Sequence, residues 1–135
     1  MIRLADDPIS REDHNIPSKL IRKVNDLRVY QDAFAIALDI HKASLVFPKV
    51  EQYALADQMR RASKSICANL AEAFARQQAS ELEFKRFITI AISSSDEMQV
   101  WVEFAKALNY ISEADAAKWM DKYEHISRML QKLKG

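Results

Sequence analysis

The stretch Phe84-Lys85-Arg86-Phe87-Ile88-Thr89-Ile90-Ala91-Ile92-Ser93-Ser94-Ser95-Asp96-Glu97-Met98-Gln99-Val100-Trp101-Val102-Glu103-Phe104-Ala105 decides the fold. Within it Phe84, Ile88, Ala91, Ser95, Met98, Val102 and Ala105 follow one another at alternating steps of four and three without a miss. Only α-helical geometry brings residues so spaced onto one seam; a strand would scatter them over both faces. Phe87, Ser94, Trp101 and Leu108 recur every seventh residue on the flank of that seam. Ser80-Glu81-Leu82-Glu83 ahead of it reads as a capping box, so this helix should open there and run to Leu108 or Asn109.

Outward from this segment the same period returns. Ser112 is the expected N-cap of the following helix, with Ile111 placed for a hydrophobic staple. Ala116, Trp119, Tyr123, Ile126, Leu130 and Leu133 then alternate three and four. Upstream, Leu55, Met59, Ala62, Ile66 and Ala73, with Leu70 alongside, predict a helix from Glu51 to Arg76. An earlier one, from Leu27 to Leu45 with Asp26 as its N-cap, carries two rails. Val29, Ala33, Ile36 and Ile40 form the first; Tyr30, Phe34, Leu38 and Leu45 form the second. Phe47-Pro48 breaks the chain between them, because a residue before proline avoids the α region. Residues 1–25 read as a tail, with a short helical turn at Ser18–Val24, and 26–135 as the folded domain. Short connections favour antiparallel neighbours, and a 3.5-residue period favours near-parallel packing. The expected fold is all-α: an up-down-up-down antiparallel four-helix bundle with a short N-terminal extension.

Composition agrees. The chain has 135 residues, 49% apolar and 29% charged, enough for one domain with a real core. Its one glycine is Gly135 and its prolines are Pro8, Pro17 and Pro48, which disfavours glycine-built phosphate loops and tight β-turns. The formal charge of +1 excludes a strongly basic nucleic-acid protein but leaves room for a local basic patch. Cys67 stands alone, so no intrachain disulfide forms, and the N-terminal residues carry no apolar signal core. A cytoplasmic protein without a membrane span is expected.

No catalytic or metal constellation emerges. A di-iron bundle needs Glu-x-x-His pairs, whereas Arg11, Leu38 and Lys122 stand three residues before His14, His41 and His125. Cys67 reads as a buried structural thiol, and Ser93-Ser94-Ser95 as small residues that let helices approach. No cofactor is implied, and the chain is not expected to be an enzyme.

The run Arg60-Arg61-Ala62-Ser63-Lys64-Ser65-Ile66-Cys67-Ala68-Asn69-Leu70-Ala71-Glu72 resembles the signature of the bacterial four-helix-bundle proteins called the 23S rRNA-intervening sequence protein family, roughly R-R-A-x-x-S-I-x-A-N-I-A-E-G. Further pieces agree in order: Asp26 to Gln31, Phe47-Pro48, Glu83-Phe84 with Arg86-Phe87, Ile90 to Glu97, and Asn109 to Ser112. Ala73, Ala75 and Ser93 stand where the family usually has glycine. The resemblance implies a small homo-oligomer, often a five-fold ring. Related accessory proteins of diversity-generating retroelements are basic and bind nucleic acid and a reverse transcriptase.

Two surfaces follow from the residues. Tyr30, Phe34, Phe87 and Trp101, with Ile92, lie outside the narrow seams, and aromatic groups on a second face are what subunit interfaces bury. The alternative is a wide core stripe with some tolerated apolar groups at the surface. Arg60, Arg61 and Lys64 cluster within a turn, with Arg76, Lys85 and Arg86 further on; on one protomer ordinary surface charge accounts for so modest a patch, and RNA or DNA phosphate is the partner it would take if a ring repeated it. Asn69, at the edge of the core stripe, either sets register between helices or bonds to water, while Glu72 is spaced to pair with Arg76. The leading expectation is a homo-oligomeric bundle that binds nucleic acid, or a nucleic-acid-handling partner, through the second helix. A protein-interaction scaffold without that activity is the other.

Overall fold

The computed structural model describes residues 23–135. Four α-helices follow one another: α1 Arg28–Ser44, α2 Leu55–Arg76, α3 Glu81–Ala107 and α4 Glu113–Lys134. Short 3-10 turns at Val24–Asp26 and Lys49–Glu51 precede α1 and α2. No strand occurs among the described residues. Helix α1 packs on α2 and α4, and α3 packs on the same two, so α1 and α3 sit diagonally in an up-down-up-down bundle. Residues 1–22, with most of the tail and of the expected turn at Ser18–Val24, lie outside the described residues.

The seam read from α3 closes the core. Phe84, Ile88, Ala91, Ser95, Met98, Val102 and Ala105 are all buried, against Met59, Ile66 and Leu70 of α2 and Tyr123, Ile126 and Leu130 of α4 in one cluster. Ile92, expected outside that seam, is buried with it. In α1 the first rail is buried, but Phe34, Leu38 and Leu45 of the second face solvent and Tyr30 is half-buried. The packing of α2 and α4 is centred on the first rail and leaves most of the second to solvent.

Helix ends explain where the boundaries moved. Asp26 is not the N-cap of α1; it sits inside the 3-10 turn, and extended Leu27 takes the cap position with no side-chain bond. Helix α2 starts at Leu55 rather than Glu51, because Glu51 turns its carboxylate forward to accept the Leu55 amide at 3.3 Å. Ser80 Oγ accepts the Glu83 amide at 3.1 Å and Ser112 Oγ the Asp115 amide at 3.0 Å, the capping bonds expected of both serines. Asn109 ends α3 at φ 62°, and the Tyr110 and Asn109 amides bond back to the Ala105 and Lys106 carbonyls. This is a Schellman stop in which asparagine fills the place glycine usually takes.

Serines let α3 approach both partners. Ser94 Oγ donates to Ser65 Oγ of α2 at 2.9 Å. On the other side Ser95 Oγ donates to the Tyr123 carbonyl at 3.1 Å, and Ser127 Oγ lies 2.7 Å from Ser95 Oγ and 2.8 Å from Asp96 Oδ1. The Tyr123 side chain is wholly buried, and its hydroxyl has no hydrogen-bond partner. Burial pushes that phenol far above its usual range, with Cys67 and Asp39 adding to it. An unpaired buried hydroxyl carries its desolvation cost uncompensated. Tyr123→Phe should therefore raise stability by about 1 kcal/mol in urea denaturation; a drop of similar size would show that the hydroxyl is satisfied in solution.

Candidate functional site

The six basic residues singled out from sequence do not form one patch. Lys64 and Arg76 are separated by about 18 Å along α2. At the first end Arg60 is occupied with the fold: Nη1 donates to Ser44 Oγ at 2.9 Å and Gln52 Oε1 at 3.2 Å, and Nη2 to the Gln52 carbonyl at 2.7 Å. Gln52 Nε2 in turn donates to the carbonyls of Ser44 and Phe47 at 2.9 and 3.0 Å, satisfying the C-terminal end of α1. Arg61, which is 78% exposed, pairs with Asp57 at 2.9 Å. Lys64 Nζ lies 3.0 Å from His41 Nδ1 of α1.

At the second end Arg76 pairs with Glu72 at 3.1 Å, Lys85 with Glu81 at 3.7 Å and Arg86 with Glu83 at 3.3 Å. The Arg76 and Arg86 guanidinium carbons each stand 5.2 Å from the centre of the Phe87 ring, two cations held on one aromatic group. Every cation here has a carboxylate one turn away on its own helix, so the local charge is close to balanced. Such exposed pairs hold by only ~0–1 kcal/mol. Asn69 is half-buried and bonds within its own helix, Nδ2 donating to the Ser65 carbonyl at 2.8 Å and Ser65 Oγ at 3.0 Å.

The aromatic residues expected at an interface also separate into two surfaces. Phe87 and Trp101 lie on α3. Between and beyond them the structure exposes Ile90, Phe104 and Leu108, the last two to 53% and 47%. Phe87, Ile90, Ser94, Glu97, Trp101, Phe104 and Leu108 thus form a second three-and-four series, one residue out of phase with the core seam. Trp101 Nε1 donates to Glu97 Oε2 at 2.8 Å and its ring lies 6.2 Å from that of Phe104. Ile90 and Phe104 were not singled out from sequence, although the same spacing that found the core would have found them. At the end of the bundle where α3 finishes, Leu45, Val46, Val50 and Tyr53 of the α1–α2 connection are also exposed. Tyr110 fixes that end by donating to Glu51 Oε2 at 2.8 Å, a bond that holds its phenol above the usual range.

Tyr30 and Phe34 lie instead on α1, their rings stacked 6.1 Å apart. With Ala37, Leu38 and His41 they face Lys64 and Cys67 of α2 across a groove of about 400 Å³. Cys67, expected to be buried, is half-buried here, and burial pushes its thiol up to about 11. At neutral pH it is protonated and a poor nucleophile. Among the described residues no three His, Cys, Asp or Glu side chains gather to hold a metal ion. No helix among them is long and apolar enough to cross a membrane.

The model of the family described as 23S rRNA-intervening sequence protein matches residues 25–132. A crystal structure of a protein with unknown function from the S23 ribosomal protein family of Bacteroides thetaiotaomicron superposes with a TM-score of 0.70. It is 21% identical, over 78% of this chain and 94% of that one, and so shares the fold. No curated protein matches the chain.

The two neighbouring arginines of the signature should part in mutagenesis. Arg60→Ala should lower stability by about 2 kcal/mol, with lysine failing to restore the forked hydrogen bonds, whereas Arg61→Ala should change it by less than ~0.5 kcal/mol. Urea denaturation of the two variants checks this; equal effects would remove Arg60 from the connection.

Proposed function

The chain belongs to the 23S rRNA-intervening sequence protein family, and from that premise and the surfaces above we propose that it is a non-catalytic, self-associating helical bundle of the cytoplasm that presents its surface to macromolecular partners. One observation carries this reading: the second heptad series on α3, with Ile90, Phe104 and Leu108 exposed beside half-buried Phe87 and Trp101. Two or more heptads of apolar side chains in helical register are what a neighbouring helix buries. The reading takes α3, with Phe87 and Trp101, as the contact between copies, because Phe87, Ile90, Trp101, Phe104 and Leu108 share one register on either side of Ser94 and Glu97. The α1 face, with Tyr30 and Phe34, offers stacked rings beside a groove instead.

Nucleic-acid binding is the second reading, favoured by the gathering of Arg76 and Arg86 on Phe87 with Lys85 next in sequence. One protomer presents little net charge there. Assembly would multiply the site, and affinity for phosphate grows with the number of cations presented together. Stacked aromatic platforms are lacking from this cluster, so binding would tolerate any sequence and fall steeply with salt.

Light scattering on the full chain tests self-association. Wild type should give a mass several-fold above the 15.5 kDa of one chain, with a ring of five as the size implied by the resemblance. Phe104→Lys combined with Leu108→Lys, both at exposed positions, should lower it while leaving helicity unchanged; a monomeric wild type ends the proposal. The nucleic-acid reading is tested separately by a salt series with mixed RNA and DNA. Changing Arg76 and Arg86 to Gln should weaken binding and reduce the log–log salt slope by about one for each phosphate that is no longer neutralised. No affinity at low salt would leave the scaffold reading alone.

A further inference from the structure

The groove between α1 and α2 lies apart from the α3 face and the Arg76–Arg86 cluster, although sequence spacing grouped its Tyr30 and Phe34 with the first and its Lys64 with the second. Its walls are apolar: Tyr30, Phe34, Ala37 and Leu38 on one side and the protonated Cys67 on the other. At its rim the Lys64 ammonium donates to His41 Nδ1 at 3.0 Å. An ammonium has three donors, and this bond uses one of them. Arg61, Arg76, Lys85 and Arg86 each have a carboxylate within an ion pair, whereas Lys64 has a neutral imidazole nitrogen. No carboxylate lines the groove. An apolar trough of about 400 Å³ with one uncompensated cation at its edge matches the size and lining of small-molecule sites, which run to ~300–1,000 Å³ with a few placed polar groups.

We infer that this groove binds a small, free amphipathic carboxylate, with its apolar chain laid along Tyr30, Phe34 and Leu38 and its carboxylate on Lys64. Charge selects the headgroup: a carboxylate brings the opposite charge to the ammonium as well as acceptors, where an alcohol offers an uncharged oxygen and a protonated amine meets repulsion. With Nδ1 accepting from Lys64, His41 carries its ring proton on Nε2, a second donor at the rim. The walls supply the rest of the affinity by burying the chain against aromatic and aliphatic surface.

Calorimetry with the full chain tests this, using octanoate, octanol and octylammonium below their aggregation concentrations, and anionic vesicles as a lipid-surface control. Octanoate should saturate one site per chain and slow the labelling of Cys67 by a maleimide. Octanol, which keeps an acceptor but lacks the opposite charge, should bind about ten-fold more weakly, and octylammonium more weakly still. Lys64→Gln should abolish the preference for octanoate over octanol without altering octanol binding. Leu38→Gln, at a position already 47% exposed, should weaken both with the helical spectrum unchanged. The inference is overturned by the absence of saturable octanoate binding, by octylammonium binding as tightly, by a Lys64→Gln protein that keeps its preference, or by binding to vesicles with none to free octanoate.

Discussion

A one-residue offset on α3 governs this structure. The helix carries two series at the same three-and-four spacing, an inner one from Phe84 and a mainly apolar outer one from Phe87 that Ser94 and Glu97 interrupt, so that each outer residue precedes an inner one by a single position from Phe87 and Ile88 to Phe104 and Ala105. A step of one residue is a rotation of about 100°, so α2 and α4, which close over the inner series, reach the outer one only in part. The bundle buries the inner series completely, since α2 and α4 close over it from both sides. Partial cover reaches the outer one: Ser94 is buried against Ser65, Phe87 lies beneath two arginines, and Phe104 and Leu108 remain in water. Apolar area left in water costs free energy that is recovered when another surface covers it.

The same helix needs its small residues as much as its large ones. Ser95 contributes no apolar volume, yet it stands where the inner series demands a core side chain and is fully buried. Its hydroxyl donates to the Tyr123 carbonyl, so the approach of α3 and α4 leaves that donor satisfied. Ser44 does the corresponding work between α1 and α2, donating to the His41 carbonyl and accepting from Arg60. Around it Arg60 and Gln52 convert an irregular connection into a fixed one, because α1 ends with carbonyls that its own geometry cannot satisfy. Position within the signature run therefore reflects folding for Arg60 and surface for Arg61, one residue apart.

Periodicity made the helices and their core legible, because burial repeats with the geometry of the backbone and needs no knowledge of the partner. Capping serines were legible for a similar reason: Ser80 and Ser112 act on amides three residues away. What escaped was decided by neighbours remote in sequence. Asp26 has the chemistry of a cap but falls in a 3-10 turn, and Glu51 looks like the start of α2 but serves as its cap from outside. Ile92 was set apart from the seam by spacing and drawn into it by the width of the packed stripe. Arg60 was grouped with Arg61 and Lys64 by proximity along the chain, and no local pattern reveals that its guanidinium reaches back to Ser44, sixteen positions earlier.

Charge follows a related logic, with consequences for what the surface can recognise. Arg61, Arg76, Lys85 and Arg86 each carry their own carboxylate within one turn. Pairs of this kind cancel beyond a Debye length of about 8 Å at physiological salt, so they exert little long-range attraction on a polyanion. Close to the surface they still offer guanidinium groups held in fixed orientation, as Arg76 and Arg86 are on Phe87. Lys64 differs because its partner is neutral and its surroundings are the apolar groove rather than water alone. A single cation beside low-dielectric walls attracts an anion more strongly than the same cation in an exposed pair. The residues that look most alike in sequence thus present two different electrostatic surfaces, one suited to many weak interactions and one to a single specific one.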